Sequence, residues 1–507
     1  MKKIFTLIVS LTSILVINAA VVEGECGTNL TWSLDTQDST LTISGSGAMD
    51  DYYSYRKAPW DYYYSYIAYL SLPEGLTKIG GRAFFACRNL RSVSFPNSLL
   101  STGSESFKYC TKLSAVSFGS NFGTIGTRAF EGCTELVSLE NLDNVNIVCS
   151  YAFLECSKLD TLALRQVSSL GDYAFYKCSG LTTIELSSSL EGIGAHAFGF
   201  CTKLTGMDIP NSVSSIGESA FECCSTMMSV TLPPDITSIS SGAFISCSGL
   251  TEVVLPDKVV VLGSNAFAGC SNLSNIELSK NLSNIGDYAF YNCRNLTSIV
   301  IPEKVHYISS TAFKDCKNLA SITWNAKHAA DAQYTYPQFG GDKTTVTSFV
   351  FGDSVEYVPA SLCYKMTGLT SVAIPDSVTG IGDYAFSLCN SLSTVSIGSS
   401  IATLGRYSFP NTVTQLTVKA VDPASGGIEC GINPAICTLY VPQESVETYS
   451  NTLWWEDFFD IQPIPNSGTG VDDVAQEDSK AVKVVRNGQL LIERDGIIFN
   501  VLGLKIR

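Results

Sequence analysis

This 507-residue chain holds 18 cysteines and only three histidines, so thiol chemistry is the first possibility that the sequence raises. Thiolates bind soft metals, form disulfides or act as nucleophiles, and their spacing decides which of these is open to them. Twelve cysteines, the ladder cysteines, recur at one position of an F-x-x-C phrase, mostly 23 residues apart. They are Cys87, Cys110, Cys133, Cys156, Cys178, Cys201, Cys224, Cys247, Cys270, Cys293, Cys316 and Cys389.

The spacing of the ladder cysteines argues against metal binding and against disulfides. Zinc sites need cysteines clustered in one short stretch, which a 23-residue spacing does not give. Side chains that stack in register point in parallel, and this fits disulfide geometry poorly. In one repeat Met366 takes the ladder position, although it shares only softness and size with a thiol. The pattern therefore predicts buried packing residues with a weak S–H donor.

Six further cysteines lie outside the ladder. Among them, Cys430 and Cys437 share a loop rich in Gly and Pro. They could form a local disulfide in an oxidising compartment, and a pair of free thiols is equally compatible with the sequence.

No catalytic arrangement is found among the other polar residues. The chain has neither an H-E-x-x-H motif nor a phosphate-binding glycine loop, and "GSG" at 45–47 lacks the flanks of a nucleophile elbow. Asp172, Asp287 and Asp383 recur at one repeat position, which indicates surface patterning and not an acid–base pair. The sequence predicts a protein that is not an enzyme and has no cofactor and no metal.

Composition narrows the classes of partner. The chain is 45% hydrophobic and only 16% charged, which is typical of a folded protein. Its net charge of −15 gives no basic surface for nucleic acid or for an anionic membrane. We therefore expect no nucleic-acid partner.

The positioning elements come from a repeat that dominates the chain. The Phe of the F-x-x-C phrase returns from Phe84 to Phe313 in steps of 23 residues, with one step of 22, and again at Phe386. Each copy also carries an alternating apolar segment such as 296–301, the period-2 pattern of a short strand. One copy cannot bury its apolar side alone, so neighbours must stack. The sequence predicts about 14 coils over residues 71–420, with a longer variant coil at 325–350.

Both ends of the chain have their own composition. Residues 1–20 carry Lys2, Lys3, a short apolar run and small residues, the layout of a secretory signal peptide; a membrane anchor is the competing interpretation. After its removal we expect no membrane-spanning segment and a secreted protein. Residues 25–70 and 421–465 are predicted to cap the stack, the second with its aromatic run Trp454, Trp455, Phe458 and Phe459.

The consensus I-G-x-x-A-F-x-x-C-x-x-L-T-x-I-x-I-P resembles the leucine-rich repeat of BspA-like bacterial surface proteins, over roughly residues 25–465. The opening "CGTNLTWSLDTQDSTLTISGSGAM" is similar to the N-terminal cap of that family. The resemblance implies an α/β repeat fold, a right-handed leucine-rich-repeat solenoid with a concave strand face. Some members are adhesins that bind host matrix proteins, and many have no assigned activity.

The C-terminal end is predicted to be separate. Residues 466–480 form a polar, acidic linker, and 481–507 offer short strands broken at 487–488 and 495–496. This segment resembles the C-terminal sorting domains of secreted Bacteroidetes proteins, which implies attachment to the outer cell surface and a source in that phylum. A small accessory β module and a protist surface protein are the respective alternatives.

Two surfaces are candidates for binding. The outward strand positions hold small side chains, no aromatic residue and a modest acidic track, which favours a broad protein surface with a basic patch; a merely solvated face is the alternative. The candidate residues of this face are Glu185, Asp208, Thr231, Val254, Glu277 and Val300. The second candidate, in the N-terminal cap, comprises Tyr52, Tyr53, Tyr55, Trp60, Tyr62, Tyr63 and Tyr64. Such side chains contact proteins or glycans well, or they simply cover the open edge of the first coil.

From these features we predict a secreted or cell-surface binding protein that acts in the manner of an adhesin. Its expected partner is an extracellular or host protein, such as a matrix protein, bound through the solenoid surface. A glycan-binding scaffold that uses the aromatic cap is one alternative. A structural surface-layer protein without a specific ligand is the other.

Overall fold

The computed structural model describes residues 21–331, 339, 343–426, 429–465, 482–486, 489–494 and 497–500. They fall into two compact units, Met1–Gln462 and Pro463–Arg507. The predicted signal peptide, the linker at 466–480 and part of the variant coil lie outside the described residues.

The first unit is a parallel-strand solenoid of about 16 turns, so the predicted leucine-rich-repeat solenoid is confirmed and its count of about 14 is close. Each coil places one strand in a first row that we name the long-strand face. The row is divided into several short sheets, within which neighbouring strands pair in parallel and in register, as Val300 does with Thr323 and Thr323 with Val350. The strands are Tyr69–Ser71, Ser92–Ser94, Ala115–Ser117, Ser138–Glu140, Thr161–Leu164, Thr183–Leu186, Gly206–Asp208, Ser229–Thr231, Glu252–Val254, Asn275–Glu277, Ser298–Ile301, Ser321–Trp324, Ser348–Phe351, Ser371–Ile374, Thr394–Ile397, Gln415–Val418, Thr438–Val441 and Asp460–Pro463.

A second row of shorter strands, the short-strand face, follows the first within the coils. Most have two residues, of which the second is buried, because the apolar residue before the turn points into the coil. The strands are Gly47–Ala48, Leu76–Ile79, Ser101–Thr102, Thr124–Ile125, Ile147–Val148, Ser169–Leu170, Gly192–Ile193, Ser215–Ile216, Ser238–Ile239, Val261–Leu262, Asn284–Ile285, Tyr307–Ile308, Tyr357–Val358, Gly380–Ile381 and Thr403–Leu404.

The third side of each coil, the turn face, contains the F-x-x-C phrase. The Phe rings stack nearly parallel from coil to coil, as in Phe130 and Phe153 with centroids 5.4 Å apart. The backbone N–H of Phe130 donates to the carbonyl of Ala152 in the next coil at 2.8 Å, so a line of hydrogen bonds also joins the turns. The helical component implied by "α/β" is small: among the described residues the only α-helix is Val446–Ser450. Short 3-10 helices include Asp61–Tyr63, Leu142–Asn144, Gln443–Ser445 and Trp455–Asp457.

Most turns bend through left-handed backbone at two places, two residues before Phe and one residue before the ladder cysteine. The φ values there lie between +49° and +76°, and most of the residues are not glycine. At the first place they include Arg128, Tyr151, Tyr173, His196 and Ser219, and at Gly242 glycine takes it. The inter-coil hydrogen bonds of the turns hold a conformation that costs about 1 kcal/mol or more for such a residue.

The ladder cysteines are buried, as predicted, and each thiol also has a defined acceptor. Eleven of them donate Sγ–H to the carbonyl of the residue at the Phe position one coil earlier, at 3.0–3.3 Å. Burial raises the pKa of these thiols, for Cys389 to about 12. All 18 cysteines are free thiols, Cys430 and Cys437 included. In the variant coil the buried Lys343 ammonium takes over this role and donates to the Phe313 carbonyl at 2.7 Å.

Each end of the solenoid is closed by a small cap. Strands Val21–Gly27, Leu30–Asp35 and Thr40–Gly45 form an antiparallel sheet at the N-terminal end, and the third pairs in parallel with Tyr69–Ser71. At the C-terminal end Trp454, Trp455 and Phe458 are buried as expected, whereas Phe459 is 88% exposed.

The second unit contains strands Val482–Arg486, Gln489–Arg494 and Ile497–Asn500, which form an antiparallel three-stranded sheet. The dipeptides predicted as turns, 487–488 and 495–496, lie outside the described residues. The sorting role of this segment stays a prediction.

Candidate binding surfaces

The six candidate residues of the long-strand face all lie at outward positions and are all exposed. Their register is partly continuous: Asp208 pairs with Thr231, and Val254 pairs with Glu277. Val254 and Val300 are 59% and 53% exposed, unusually high values for apolar strand residues. The face therefore presents side chains that contribute little to the core of the solenoid.

Two of the acidic candidates have partners within the chain. The Asp208 carboxylate accepts a hydrogen bond from the Thr231 hydroxyl at 2.8 Å. The Glu185 carboxylate lies 3.5 Å from the guanidinium of Arg165, which also reaches Asp143 at 3.5 Å. Because these contacts are solvent-exposed, they are weak and open to replacement by a ligand. The acidic track predicted from the sequence is thus partly neutralised at Glu185.

A depression of about 720 Å³ lies between Glu185 and Asp208 on this face. Gly206 forms part of its floor, at a strand position where the neighbouring coils carry Thr183 and Ser229. Gly206 has no left-handed φ, and a Cβ there would meet only Ser229 atoms at 3.3–3.4 Å. A side chain at this position would require Ser229 to shift slightly, and its absence leaves the depression open at Gly206.

A second depression of about 820 Å³ lies four coils further along the same face. Its lining combines the candidates Glu277 and Val300 with Lys280, Glu303 and Lys304. Lys304 donates to the Asn281 side chain at 2.6 Å, so this cation is tied to the coil before it. The two depressions differ in charge, since the lining of the first contains two carboxylates and no cation.

The aromatic cap divides into buried and exposed residues. Tyr52 and Trp60 are only 3% and 1% exposed, so their assignment to a contact surface is wrong. The Trp60 ring stacks on Phe84 at 5.6 Å, and its indole N–H donates to the Ala83 carbonyl at 2.7 Å. Trp60 therefore closes the open end of the Phe stack. Tyr63 is partly buried against the same core.

The other cap candidates are open to solvent. Tyr53, Tyr55, Tyr62 and Tyr64 are 46%, 85%, 89% and 42% exposed. Covering the first coil cannot explain rings of this exposure, so the cap carries aromatic surface beyond what folding uses.

Sequence reasoning missed a chain of polar and aromatic contacts along the turn face, which we name the turn-face network. The buried Glu131 carboxylate binds Lys108 at 3.0 Å and Arg128 at 2.8 Å. The Arg128 guanidinium lies over the Tyr151 ring at 4.1 Å, and Tyr151 stacks on Tyr173 at 4.8 Å. The full set is Arg82, Glu105, Lys108, Arg128, Glu131, Tyr151, Tyr173, His196 and Glu222. Most members of the network stand two residues before the Phe of a repeat, so a comparison of that position between repeats would have identified them.

The described residues offer no arrangement for metal chemistry. No three His, Cys, Asp or Glu side chains among them come together in a way that could hold a metal ion. His196 contacts Glu222 at 3.1 Å as part of the turn-face network. Of the helices that the structure describes, none combines the length and hydropathy that crossing a bilayer requires.

The stacked coils, the ladder positions and the strand register define a leucine-rich-repeat solenoid, a class that typically serves as a non-enzymatic scaffold for binding. The sequence model of the family described as "BspA type Leucine rich repeat region" matches this chain at residues 61–178, 150–253, 237–336 and 336–420. The chain belongs to this family, which points to a protein-interaction role at the cell surface.

Several solved structures are similar to this chain. A leucine-rich repeat protein from Bacteroides ovatus is 18% identical, with a TM-score of 0.46, over 82% of this chain and 98% of that one. A leucine rich cell surface protein from Faecalibacterium prausnitzii is 25% identical, with a TM-score of 0.38, over 66% and 95%. A leucine-rich repeat protein of T. pallidum is 26% identical, with a TM-score of 0.26, over 49% and 91%. The search of curated proteins gave no match.

Proposed function

We propose that this protein is a secreted, surface-retained, adhesin-like protein that binds an extracellular or host protein through its long-strand face. The observation that carries the proposal is the row of exposed outward side chains at Glu185, Asp208, Thr231, Val254 and Val300. Short side chains on a regular sheet let a broad partner surface approach closely. Truncating these side chains would change the free energy of unfolding little, so the side chains are available to contact a partner.

The charge of the first depression indicates the chemistry of the partner. Glu185 and Asp208 line it without a cation, and Met228 beside them is 58% exposed. Flexible Met side chains adapt to varied contact surfaces. A partner patch that combines Arg or Lys with apolar side chains would match this depression, and it would compete with Arg165 for Glu185.

Binding to immobilised fibronectin, fibrinogen, laminin and collagen tests the proposal. The substitutions Val254→Lys and Val300→Lys place two cations on the long-strand face. The matched control, Val260→Lys with Val261→Lys, places them on the short-strand face, where the two valines are 40% and 39% exposed. We expect the first variant to weaken binding at least about tenfold and the control to leave it unchanged.

Two results would contradict the proposal: no binding to any protein of the panel, or equal binding by both variants. Thermal unfolding of both variants should match that of the parent chain, because all four positions are on the surface. Surface retention is tested separately, by comparing cell-bound and released protein with and without residues 481–507.

A further inference from the structure

Five exposed tyrosines lie within residues 53–66 of the N-terminal cap, and we name this set the tyrosine patch. Tyr55 and Tyr62 are 85% and 89% exposed, and the others are between 42% and 51% exposed. The patch comprises Tyr53, Tyr55, Tyr62, Tyr64 and Tyr66. The exposed Tyr69 is not included, because it begins the first strand of the long-strand face. Closure of the first coil is already achieved by buried Trp60 and Tyr52, so the fold does not account for the patch.

The rings of the patch are arranged for contact with a flat ligand. Tyr53 and Tyr55 stack nearly parallel, with centroids 5.4 Å apart and 9° between the planes, and Tyr55 remains 85% exposed in this pair. Tyr62 is 89% exposed, so both of its faces are open. Among the described residues, none of these five phenol groups makes a side-chain hydrogen bond, so their hydroxyls can donate to or accept from a ligand.

The charged side chains within residues 50–69 all take part in ion pairs. The side chain of Arg56 binds Asp50 at 2.7 Å, and Lys57 binds Asp61 at 2.8 Å. The last carboxylate of residues 50–69, that of Asp51, binds Lys78 of the first coil at 2.8 Å. Residues 50–69 hold no other charged side chain, although the chain as a whole carries a net charge of −15. The patch therefore exerts little net attraction on a charged ligand.

The apolar content of the patch also bears on the class of ligand. Every large hydrophobic residue that is exposed between 50 and 70 is a tyrosine; no exposed Leu, Ile, Val, Met or Phe lies among them. Protein interfaces are anchored in well-packed, desolvated pockets, which this open arrangement does not provide. Free ring faces with hydroxyl edges instead suit pyranose rings, whose C–H faces stack on aromatic rings and whose hydroxyls bond to phenols.

We infer that the tyrosine patch binds a neutral polysaccharide, at a surface distinct from the long-strand face. The ligand stacks its sugar rings on Tyr55 and Tyr62 and exchanges hydrogen bonds with the free phenol hydroxyls. A protein partner of the patch is the competing class.

Native electrophoresis of the full chain through gels that contain dextran, α-mannan, hydroxyethylcellulose or, as an anionic comparison, polygalacturonate tests this inference. We expect at least one neutral polymer to retard the chain. The double substitution Tyr55→Ser with Tyr62→Ser should weaken that retardation at least about tenfold. The matched control Tyr307→Ser with Tyr407→Ser removes rings of the solenoid that are 47% and 54% exposed, and it should leave retardation unchanged.

The inference is overturned if no neutral polymer retards the chain, if only polygalacturonate does, or if the Tyr55 and Tyr62 variant is retarded like the parent. It is also overturned if that variant loses binding to the immobilised matrix proteins while no gel retards the parent, since the patch then serves a protein. Loss of matrix-protein binding in the Val254 and Val300 variant leaves this inference untouched, so the two proposals fail separately.

Discussion

The turn face and the long-strand face of the same coils differ in where their side chains find partners. On the turn face, Glu131 joins Lys108 to Arg128, and the contacts run on through Tyr151 to His196. On the long-strand face, the exposed Val254 and Val300 pack against no core. The turn-face side chains form ion pairs and ring contacts with one another between coils, and these contacts stabilise the stack. The exposed side chains of the long-strand face have fewer partners within the chain, so they are available to bind another molecule.

The largest expected effect is a loss of stability at alkaline pH. It arises on the turn side of the coils, because the buried ladder thiols lie behind the turn face. Burial raises the thiol pKa from 9.0, for Cys389 to about 12. Above pH 9 the unfolded chain releases protons that the native chain retains, so stability is complete below pH 9 and falls as the pH rises towards the folded pKa values. Each thiol contributes up to about 1.4 kcal/mol per pH unit. Urea unfolding midpoints at pH 8, 9, 10 and 11 would measure the fall.

The variant Cys201→Ala with Cys224→Ala provides the control for this titration, because both chains share the same tyrosines and lysines. Its unfolding free energy should fall less steeply between pH 9 and 11. Equal slopes in the two chains would show that the thiols are not responsible. Alkylation of the native protein near pH 8 should label at most the partly exposed Cys149 and Cys223.

Truncation of one stacked ring is the next largest effect. Phe198 is fully buried between Phe175 and Phe221, at 5.6 Å from each. We expect Phe198→Ala to reduce the free energy of unfolding by about 3–5 kcal/mol, because the cavity cannot refill between fixed coils. Val254→Ala on the long-strand face should change it by less than about 0.5 kcal/mol. Urea unfolding followed by circular dichroism measures both; similar losses would remove the contrast between the sides.

The buried carboxylate of the turn-face network should come third. Glu131→Gln removes the charge that holds Lys108 and Arg128, and we expect a loss of about 3 kcal/mol. Glu185→Gln is the matched change on the long-strand face, where the Glu185 side chain is 63% exposed, and should cost less than about 1 kcal/mol. A cost for Glu131→Gln no greater than that of Glu185→Gln would mean that the network does not stabilise the stack.

The smallest effect concerns the left-handed turn positions. Ser219 has a φ of +51°, and glycine occupies the same position at Gly242. Ser219→Gly should therefore stabilise the protein by up to about 1 kcal/mol, whereas Ser271→Gly, at a turn residue without positive φ, should destabilise it by about as much. Differential scanning calorimetry would resolve the two directions. A loss of stability at Ser219 would show that the turn conformation is not strained for serine.

The repeat frame could be predicted from the sequence because it is periodic. Phe, Cys and the alternating strand segment recur every 23 residues, and stacking alone then places Val300 beside Thr323. The acceptor of each thiol could not be predicted, since it depends on the offset between the Cys of one coil and the Phe carbonyl of the coil before.

The aromatic cap shows where such reasoning stops. Trp60 and Tyr62 lie two residues apart in one aromatic run, yet one is 1% and the other 89% exposed. The cap has no repeat and no regular period, so nothing in the order of its residues fixes which rings turn inward. The turn-face network was missed for a related reason: its members differ in residue type from coil to coil, although their position in the repeat is constant.

The two left-handed positions of each turn bear on how such a chain could have grown. Because inter-coil hydrogen bonds maintain these bends, the bends do not depend on glycine, and Arg128, Tyr151 and His196 all occupy the first position. A duplicated coil would consequently keep its backbone conformation while the residue at the left-handed position was replaced by another type. Lengthening by whole units and later diversification of the surface are thus independent events in the history of a protein built this way.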